Sequence, residues 1–349
     1  MKKYFITGIF ICLFTSLFAQ VDQSNFSEKY REFDFWIGKW EVNLRKQQED
    51  NSWKDWKIAQ TKVYPILDGR AILELWEEQT NNKPDSAIVG YSLRYWHPKN
   101  KEWILWLNWP GVNRSGSQRL TGNFRHGRGE FFVKRPVNDS TTSITRYTFS
   151  DITENSLRWD NATSLDGGKT WTGGWIMEFS RMDNYPERTT SEKIHTYREG
   201  ERCTLEPFKK IEKFAGKWKG TVKIKNNKWK EEKIKIDAYK ALGGCAVISF
   251  IEIGDDPDSS RKEFSLKTYN TYAQKYEDGI LSNKKDSDYK PYFGDFKEST
   301  FSVNNYNRTD QSINERYEWI LEKGQLKLIK WHYQNGEKIK IMEGTLSTT

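Results

Sequence analysis

An internal repeat is the feature that most constrains the fold of this chain of 349 residues. Residues 35–40 (FWIGKW) are similar to residues 213–218 (KFAGKW), and residues 67–73 (LDGRAIL) are similar to residues 242–248 (LGGCAVI). The matches keep their order along the chain, which predicts one structural unit present twice. The other matching pairs are residues 91–96 with 264–269, Arg146 with Arg316, Tyr147 with Tyr317, Trp159 with Trp331, and residues 176–178 with 341–343.

Each unit has the pattern of an antiparallel β protein. Short segments rich in β-branched and aromatic residues, such as 71–76 and 326–333, alternate with turns that contain Gly and Asn. Helical periodicity is confined to residues 28–35 and 207–214, directly before each Gly-Lys-Trp. Many short strands favour a closed sheet, because closure leaves no unpaired strand edge. The sequence therefore predicts an all-β chain of two tandem antiparallel barrels, each preceded by a short helix.

The chain divides into four predicted parts. Residues 1–19 have a basic start and then an uncharged apolar run, which is typical of a secretory signal peptide. We therefore expect a periplasmic or secreted protein, cleaved near Ala19. The first barrel is predicted at 26–183 and the second at 205–349, joined by a polar linker at 184–204. No other apolar stretch approaches the roughly 20 residues that a membrane-spanning helix needs.

The charge distribution argues against nucleic acid as a partner. The chain has 56 Lys and Arg against 48 Asp and Glu, a formal net charge of +8. The Lys-rich run at 223–235 alternates with Ile, Trp and Glu, as the solvated face of a strand pair would. Nucleic-acid binding favours a concentrated basic surface and a recognisable module, and neither is visible.

The cysteines leave the redox state open. Cys203 and Cys245 are the two cysteines that follow the predicted signal peptide, and they can pair in an oxidising compartment. However, Cys203 lies in a polar segment and Cys245 in an apolar, strand-like run, so free thiols remain an alternative. Two cysteines cannot form a Cys-based zinc site on their own, and no two His residues have metal-ligand spacing. We expect no metal site.

The start of each unit resembles a known superfamily. A short helix followed by Gly-x-Trp and a series of strands resembles the calycins, and residues 33–40, 67–71 and 166–171 are similar to lipocalin-like secreted bacterial proteins of unknown function. The resemblance covers the first unit almost entirely and the second more loosely. It implies calycin-type barrels and says little about activity.

The same resemblance implies how each barrel is closed. In lipocalins the Trp of Gly-x-Trp closes one end of the barrel and often meets an Arg of the last strand. Trp40 and Trp218 stand at that place here, with Arg181 as the implied partner of Trp40. The second unit has no arginine at the corresponding position.

Tryptophan is distributed unequally, with 12 of the 16 in the first unit. Residues that only one unit carries are candidates for function, and Glu74, for example, becomes Ser249 in the second unit. A barrel of about eight to ten strands is either filled by its side chains or holds one small ligand, and both remain open. The candidate ligand-binding residues are Glu74, Arg94, Trp106, Trp109, Arg146, Trp159 and Trp175.

Other patterns with chemical meaning are sparse. Residues 164–171 (SLDGGKTW) fit the Asp-box hairpin of sialidases, but a single copy predicts a structural turn. His332 lies within a predicted strand and is the candidate for ligating haem iron, as a late-strand His does in nitrobindins; otherwise we expect no cofactor. No nucleophile elbow or phosphate-binding loop is present, so no catalytic residue is assigned.

Three functions follow from these observations. The first is a module that binds a small hydrophobic or aromatic ligand in the first barrel, and a cavity lined by Trp would favour it. The second is a structural or partner-binding protein with filled barrels. The third is an enzyme acting on a lipid or a glycan, which requires carboxylates that converge in the barrel. We prefer the first function.

Overall fold

The computed structural model describes residues 28–79, 88–110, 117–182, 203–256, 258–307 and 309–349. The predicted signal peptide lies outside these residues, and so does nearly all of the predicted linker. No helix in the described part is long and apolar enough to cross a membrane.

The first barrel is a closed antiparallel sheet in which each strand pairs with its neighbours in sequence and the last strand pairs with the first. Two short 3-10 helices, Glu28–Arg31 and Asp34–Trp36, precede it. Its strands are β1 (Gly38–Gln47), β2 (Trp53–Ile66), β3 (Ala71–Gln79), β4 (Val89–His97), β5 (Glu102–Asn108), β6 (Gln118–Arg125), β7 (Arg128–Pro136), β8 (Thr142–Ser150), β9 (Ser156–Ser164) and β10 (Thr172–Arg181).

The second barrel repeats this arrangement after helix α1 (Glu206–Glu212). Both barrels close on themselves and each follows a short helical segment, so the predicted fold class of two tandem antiparallel barrels is confirmed. The strands of the second barrel are β11 (Gly216–Lys225), β12 (Trp229–Ala241), β13 (Ala246–Ile253), β14 (Arg261–Asn270), β15 (Lys275–Ser282), β16 (Lys290–Lys297), β17 (Thr300–Tyr306), β18 (Ile313–Glu322), β19 (Gln325–Gln334) and β20 (Glu337–Thr348).

The two Gly-x-Trp tryptophans occupy equivalent places. The indole Nε1 of Trp40 donates to the carbonyl oxygen of Trp36 at 2.8 Å, and that of Trp218 donates to the carbonyl oxygen of Phe214 at 3.0 Å. Both rings are buried at the start of the first strand of their barrel. The two tryptophans thus have the same burial and the same hydrogen bond, which confirms the duplication of the unit.

Arg181 closes the first barrel as the resemblance implied. It pairs with Trp40 in the register between β1 and β10, and its guanidinium carbon lies 4.0 Å from the centre of the Trp40 ring. Its Nη1 and Nη2 donate to the carbonyl oxygens of Ile37 and Phe35 at 2.7 and 2.9 Å. In the second barrel Thr348 stands at the corresponding register position, opposite Trp218, which agrees with the missing arginine.

The two barrels pack against each other through the outer face of β3–β5. One continuous cluster of buried apolar residues contains side chains of both barrels, among them Trp106 and Tyr289, whose ring centres are 4.9 Å apart. Polar contacts accompany this packing: Asn108 Nδ2 donates to Glu277 Oε2 at 3.0 Å, and the Tyr95 hydroxyl donates to Asp288. The barrels therefore share a core across their junction.

Cys203 and Cys245 form a disulfide, with their Cα atoms 4.9 Å apart. The bond joins the segment before α1 to the residue that directly precedes β13. Helix α1 buries Phe208 and Ile211 in the core of the second barrel, so the disulfide holds this helix against the barrel that it covers.

Candidate functional site

The first barrel contains a cavity of about 380 Å³. This volume is within the range of small-molecule binding sites. Six tryptophans contribute to its walls, together with aliphatic side chains and a few polar groups. The lining residues are Trp36, Leu44, Trp56, Glu74, Trp76, Glu78, Ile88, Tyr91, Ser92, Arg94, Leu107, Trp109, Gln118, Tyr147, Trp159, Trp175, Met177 and Phe179.

A buried ion pair forms the polar part of this lining. Arg94 Nη2 lies 2.9 Å from Glu74 Oε2, and both side chains are buried. Glu74 also accepts hydrogen bonds from Ser92 Oγ at 2.5 Å and from Thr61 Oγ1 at 3.1 Å. Three donors on the two neighbouring strands, β2 and β4, thus hold the carboxylate in one position, as a buried charge requires.

The guanidinium of Arg94 lies among aromatic rings. Its central carbon is 5.1 Å from the ring centre of Trp36, 5.4 Å from that of Phe33 and 5.6 Å from that of Phe149. Burial lowers the pKa of Arg94, and Glu74 opposes that shift. Since an arginine keeps its proton in proteins, the pair remains ionic and its net charge is zero.

A β-bulge places Trp56 at the cavity. Between β1 and β2, Leu44 pairs with Lys57 and Arg45 pairs with Asp55, which leaves Trp56 as an extra residue. Bulges re-aim side chains and are common beside functional sites. Trp56 lines the cavity and is nevertheless 46% exposed, so it marks the end at which the cavity meets solvent. We call this end the mouth.

A second bulge places Trp175 in the same region. On β10, Gly173 pairs with Ala162 and Ile176 with Asp160, so Gly174 and Trp175 together face Asn161. The Trp175 amide donates to Asn161 Oδ1 at 2.9 Å. A Cβ on Gly174 would lie 2.4 Å from that oxygen, so a larger residue there would displace the Asn161 side chain that accepts from the Trp175 amide.

The indoles of the cavity present flat surfaces. Trp159 and Trp175 stack with their ring centres 5.9 Å apart and an interplanar angle of 27°. Trp109 lies directly over Gly90, where a Cβ would come within 2.7 Å of its Cδ1. Such surfaces suit a planar apolar molecule, because aromatic rings favour offset-stacked or edge-to-face contacts.

A second ion pair lies near the mouth. Lys57 Nζ is 2.6 Å from Glu78 Oε2, and the same ammonium is 4.6 Å from the centre of the Trp56 ring. Both carboxylates that line the cavity, Glu74 and Glu78, therefore contact a cation. The lining is mainly apolar, and each of its two carboxylates is compensated by a cation.

The structure brings five of the seven candidate residues together and places the other two elsewhere. Glu74, Arg94, Trp109, Trp159 and Trp175 line the cavity. Trp106 instead lies at the junction with the second barrel, where its Nε1 donates to the Tyr95 hydroxyl at 3.3 Å. Arg146 stacks on Trp171, with its guanidinium carbon 4.4 Å from the ring centre, and is not among the lining residues.

Sequence reasoning missed several lining residues. Trp76 lies two residues after Glu74 on β3, so the alternation of a strand puts both on one face, and this signal was available. Trp56 enters the lining through a bulge, which period-two alternation does not reveal. Glu78 continues the same row two residues after Trp76, so the same signal applied to it.

The interior of the second barrel holds a related but rearranged ion pair. Lys267 stands at the position of Arg94, and its Nζ lies 3.1 Å from Asp278 Oδ2, with both side chains fully buried. Ser265 Oγ donates to Asp278 Oδ1 at 2.7 Å and accepts from Lys267 at 2.7 Å. The ammonium also lies 3.6 Å from the centre of the Trp319 ring.

Further polar side chains occupy the second barrel. Glu315 accepts a hydrogen bond from the Tyr292 hydroxyl and lies 3.0 Å from Lys290 Nζ and 3.4 Å from Lys330 Nζ. Burial raises the pKa of Glu315, but the two ammonium groups and the hydroxyl hold it at about 2. The second barrel therefore has two buried ionic clusters, around Asp278 and Glu315, whereas the polar part of the first cavity is centred on Glu74 and Arg94.

His332, the candidate haem ligand, lies partly exposed on β19 opposite Glu315. No measurement bears on haem, and its binding stays a prediction. Among the described residues, no group of three or more His, Cys, Asp and Glu side chains is placed to hold a metal ion.

The Asp-box segment forms a turn, as expected. Asp166 Oδ1 accepts hydrogen bonds from Ser164 Oγ at 2.7 Å and from the Lys169 amide at 2.9 Å, and Trp171 Nε1 donates to the carbonyl oxygen of Gly168 at 3.0 Å. Hydrogen bonds from the amide and the hydroxyl of Thr170, together with that from Ser164, lower the pKa of Asp166 and keep it ionised in the turn.

Comparisons with known proteins add little on function. No family model and no curated protein matches the chain. Among solved structures, the S-type phycobiliprotein lyase CPES from Guillardia theta aligns with a TM-score of 0.30 at 9% identity, over 44% of this chain and 92% of that one. A DUF3598 protein of unknown function from Nostoc punctiforme aligns with a TM-score of 0.28 at 9% identity, over 93% and 100% of the two chains.

A third solved structure, a putative AttH from Nitrosomonas europaea, aligns with a TM-score of 0.12 at 8% identity, over 88% of this chain and 91% of that chain. These scores are too low for any of the three proteins to indicate a ligand or an activity of this chain. The cavity of the first barrel is therefore the feature that indicates a function.

Proposed function

We propose that this protein binds a small, mainly apolar and aromatic molecule inside its first barrel. The observation that carries the proposal is the cavity of about 380 Å³ with six tryptophans in its walls. Small-molecule sites are typically apolar concavities with a few placed polar groups, and this cavity has that composition. Both bulges of the first barrel add a Trp to the lining, which a barrel filled only for stability would not need.

Replacing Trp56 with alanine is expected to weaken binding of an apolar aromatic probe. The probe is N-phenyl-1-naphthylamine, an uncharged dye whose emission rises in an apolar environment. One stacked aromatic pair contributes about 0.5–1.5 kcal/mol beyond burial, so the dissociation constant should rise roughly threefold to tenfold. A fluorescence titration of both proteins measures the change.

Trp229→Ala is the matched control. Trp229 is 44% exposed and begins β12 in the second barrel, so its removal alters a similar surface area without touching the cavity. Its dissociation constant for the dye should equal that of the unmodified protein. If the unmodified protein does not enhance the dye's emission, or if Trp229→Ala weakens binding as much as Trp56→Ala does, the proposal is wrong.

We also propose that the protein acts outside the cytoplasm. The predicted signal peptide is one support, and the Cys203–Cys245 disulfide is another, because disulfides persist mainly in oxidising compartments. Mass spectrometry of the protein from the cell envelope of its host should give a chain that begins at Gln20. A full-length chain in the cytoplasmic fraction would contradict this proposal. The same spectrum, recorded under native conditions, would detect a co-purified ligand.

A further inference from the structure

We infer that the ligand is an aromatic acid whose ring system enters the cavity while its anionic group stays at the mouth, next to Lys46. This inference rests on the proposed function and specifies the chemistry of the ligand. It follows from three features of the first barrel: a cation between two tryptophans, the charge balance of the lining, and the absence of a carboxylate partner for that cation among the described residues.

Three neighbouring strands place Lys46 between two tryptophans of the cavity. Lys46 on β1 pairs with Trp175 on β10, and its Nζ lies 5.8 Å from the centre of the Trp56 ring on β2. On β1 the side chains of Val42 and Leu44 are buried in the core of the barrel, and Lys46 continues this alternate row toward solvent. Its ammonium therefore lies on the cavity side of the sheet at the mouth.

The charge balance of the lining determines where a ligand charge can be placed. Glu74 pairs with Arg94 and Glu78 pairs with Lys57, so the interior offers no uncompensated charge of either sign. An ionic group inside this apolar cavity would lose its hydration without gaining a counter-ion, which costs several kcal/mol. The buried part of the ligand must therefore be uncharged, and any charged group has to remain at the mouth.

Lys46 is a cation at the mouth that can meet such a group. Within the described residues, no carboxylate lies in ion-pair distance of Lys46, whereas Arg45 next to it contacts both Asp55 and Glu178. Lys57 is held by Glu78 at 2.6 Å. An anionic group at this ammonium would form one ion pair. The aromatic ring that carries the anionic group would then lie beside the indoles of Trp56 and Trp175. An aromatic carboxylate satisfies both.

Two nearly isosteric probes test the inference. 2-Naphthoate and 2-naphthamide share a ring system and differ in charge, and isothermal titration calorimetry measures the affinity of each. We expect the acid to bind more tightly than the amide by roughly threefold to fivefold, as for a partly exposed ion pair. The preference should shrink as salt is added, since screening acts on exposed charges.

Substitutions assign the preference to one side chain. Lys46→Gln should remove the preference for 2-naphthoate and leave the affinity for 2-naphthamide unchanged, and Lys46→Glu should reverse the preference. Lys39→Gln is the matched control, because Lys39 is an exposed lysine near the other end of the same strand. That variant should bind both probes as the unmodified protein does.

The outcomes separate this inference from the proposed function. If the amide and the acid bind equally well, or if Lys46→Gln keeps the preference, the inference is wrong while the apolar binding site stands. Tighter binding of the cation 2-naphthylmethylammonium than of 2-naphthoate would also overturn it. If none of the naphthalene probes binds and the apolar dye does not bind either, the proposed function itself fails.

Discussion

Replacing Asp278 with asparagine is expected to lower the free energy of unfolding by about 3–5 kcal/mol, because removing one member of a buried ion pair leaves the other charge uncompensated. Lys267 and Asp278 are both fully buried, and the ammonium has no other carboxylate within ion-pair distance among the described residues. Urea denaturation at pH 7 measures the loss.

The pH dependence of the Asp278→Asn variant distinguishes an uncompensated lysine from a simple packing defect. Burial lowers the pKa of Lys267, and Asp278 opposes that shift, so the substitution should lower the pKa further. The folded variant then binds fewer protons than the unfolded chain. Its free energy of unfolding should therefore rise with pH until the pH passes the ordinary lysine pKa of about 10.4. A loss that is independent of pH between 7 and 10 would contradict this account.

Two further variants complete the comparison. Asp295→Asn breaks an ion pair of similar length, 3.0 Å to Lys275, in which both side chains are about half exposed, so it should cost less than about 1 kcal/mol. The double variant Lys267→Met with Asp278→Leu removes both buried charges and should be close to the unmodified protein in stability, or above it. If Asp295→Asn costs as much as Asp278→Asn, burial is not the cause.

The fold could be predicted because the repeat fixes several structural features at once. Each Gly-Lys-Trp begins a strand and follows a short helical segment, and each Trp returns its indole N–H to a carbonyl four residues earlier. The packing of the barrels against each other could not be predicted in the same way. The contact between Trp106 and Tyr289 joins residues far apart in sequence and has no local pattern.

Strand alternation explains the misplaced candidate residue on β5. Leu105 and Leu107 belong to the core of the first barrel, so Trp106 between them must face outward, whereas Trp103 and Leu105 share a face. Alternation alone did not reveal this, because β5 is apolar and buried on both faces and its sequence does not show which face is inward. The same alternation is present on β8, where Tyr147 lines the cavity and its neighbour Arg146 does not.

Glu74 was a candidate for function because Ser249 replaces it in the second unit. The structure shows that the ion pair of Glu74 nevertheless has a counterpart in the second barrel. Each barrel keeps a buried cation on its fourth strand, but the carboxylate comes from β3 in the first barrel and from β15 in the second. Leu105 stands where Asp278 would be, opposite the cation. A residue found in one unit alone can thus serve the fold, because its partner has moved to the strand on the other side.

Removing the disulfide is expected to destabilise the second barrel by a similar amount. The bond closes a loop between residues 42 apart in sequence, for which the chain-entropy treatment gives about 4 kcal/mol at 25 °C. Cys203→Ala is the better variant, because Cys203 is only partly buried and Cys245 then stays in the core as a thiol. Calorimetry of the oxidised protein and of the variant should show a transition at lower temperature in the variant.

The disulfide has a large expected effect on stability because it fixes α1 to the second barrel. Without it, α1 is attached to the second barrel by the burial of Phe208 and Ile211 and by the ion pair of Glu212 with Lys240, and the unfolded chain regains the freedom of the whole loop. A reductant should lower the transition of the unmodified protein to that of Cys203→Ala and leave the variant unchanged. If the reductant lowers both transitions equally, the loss has another origin. If Cys203→Ala unfolds at the temperature of the oxidised protein, α1 is held by packing and the ion pair alone.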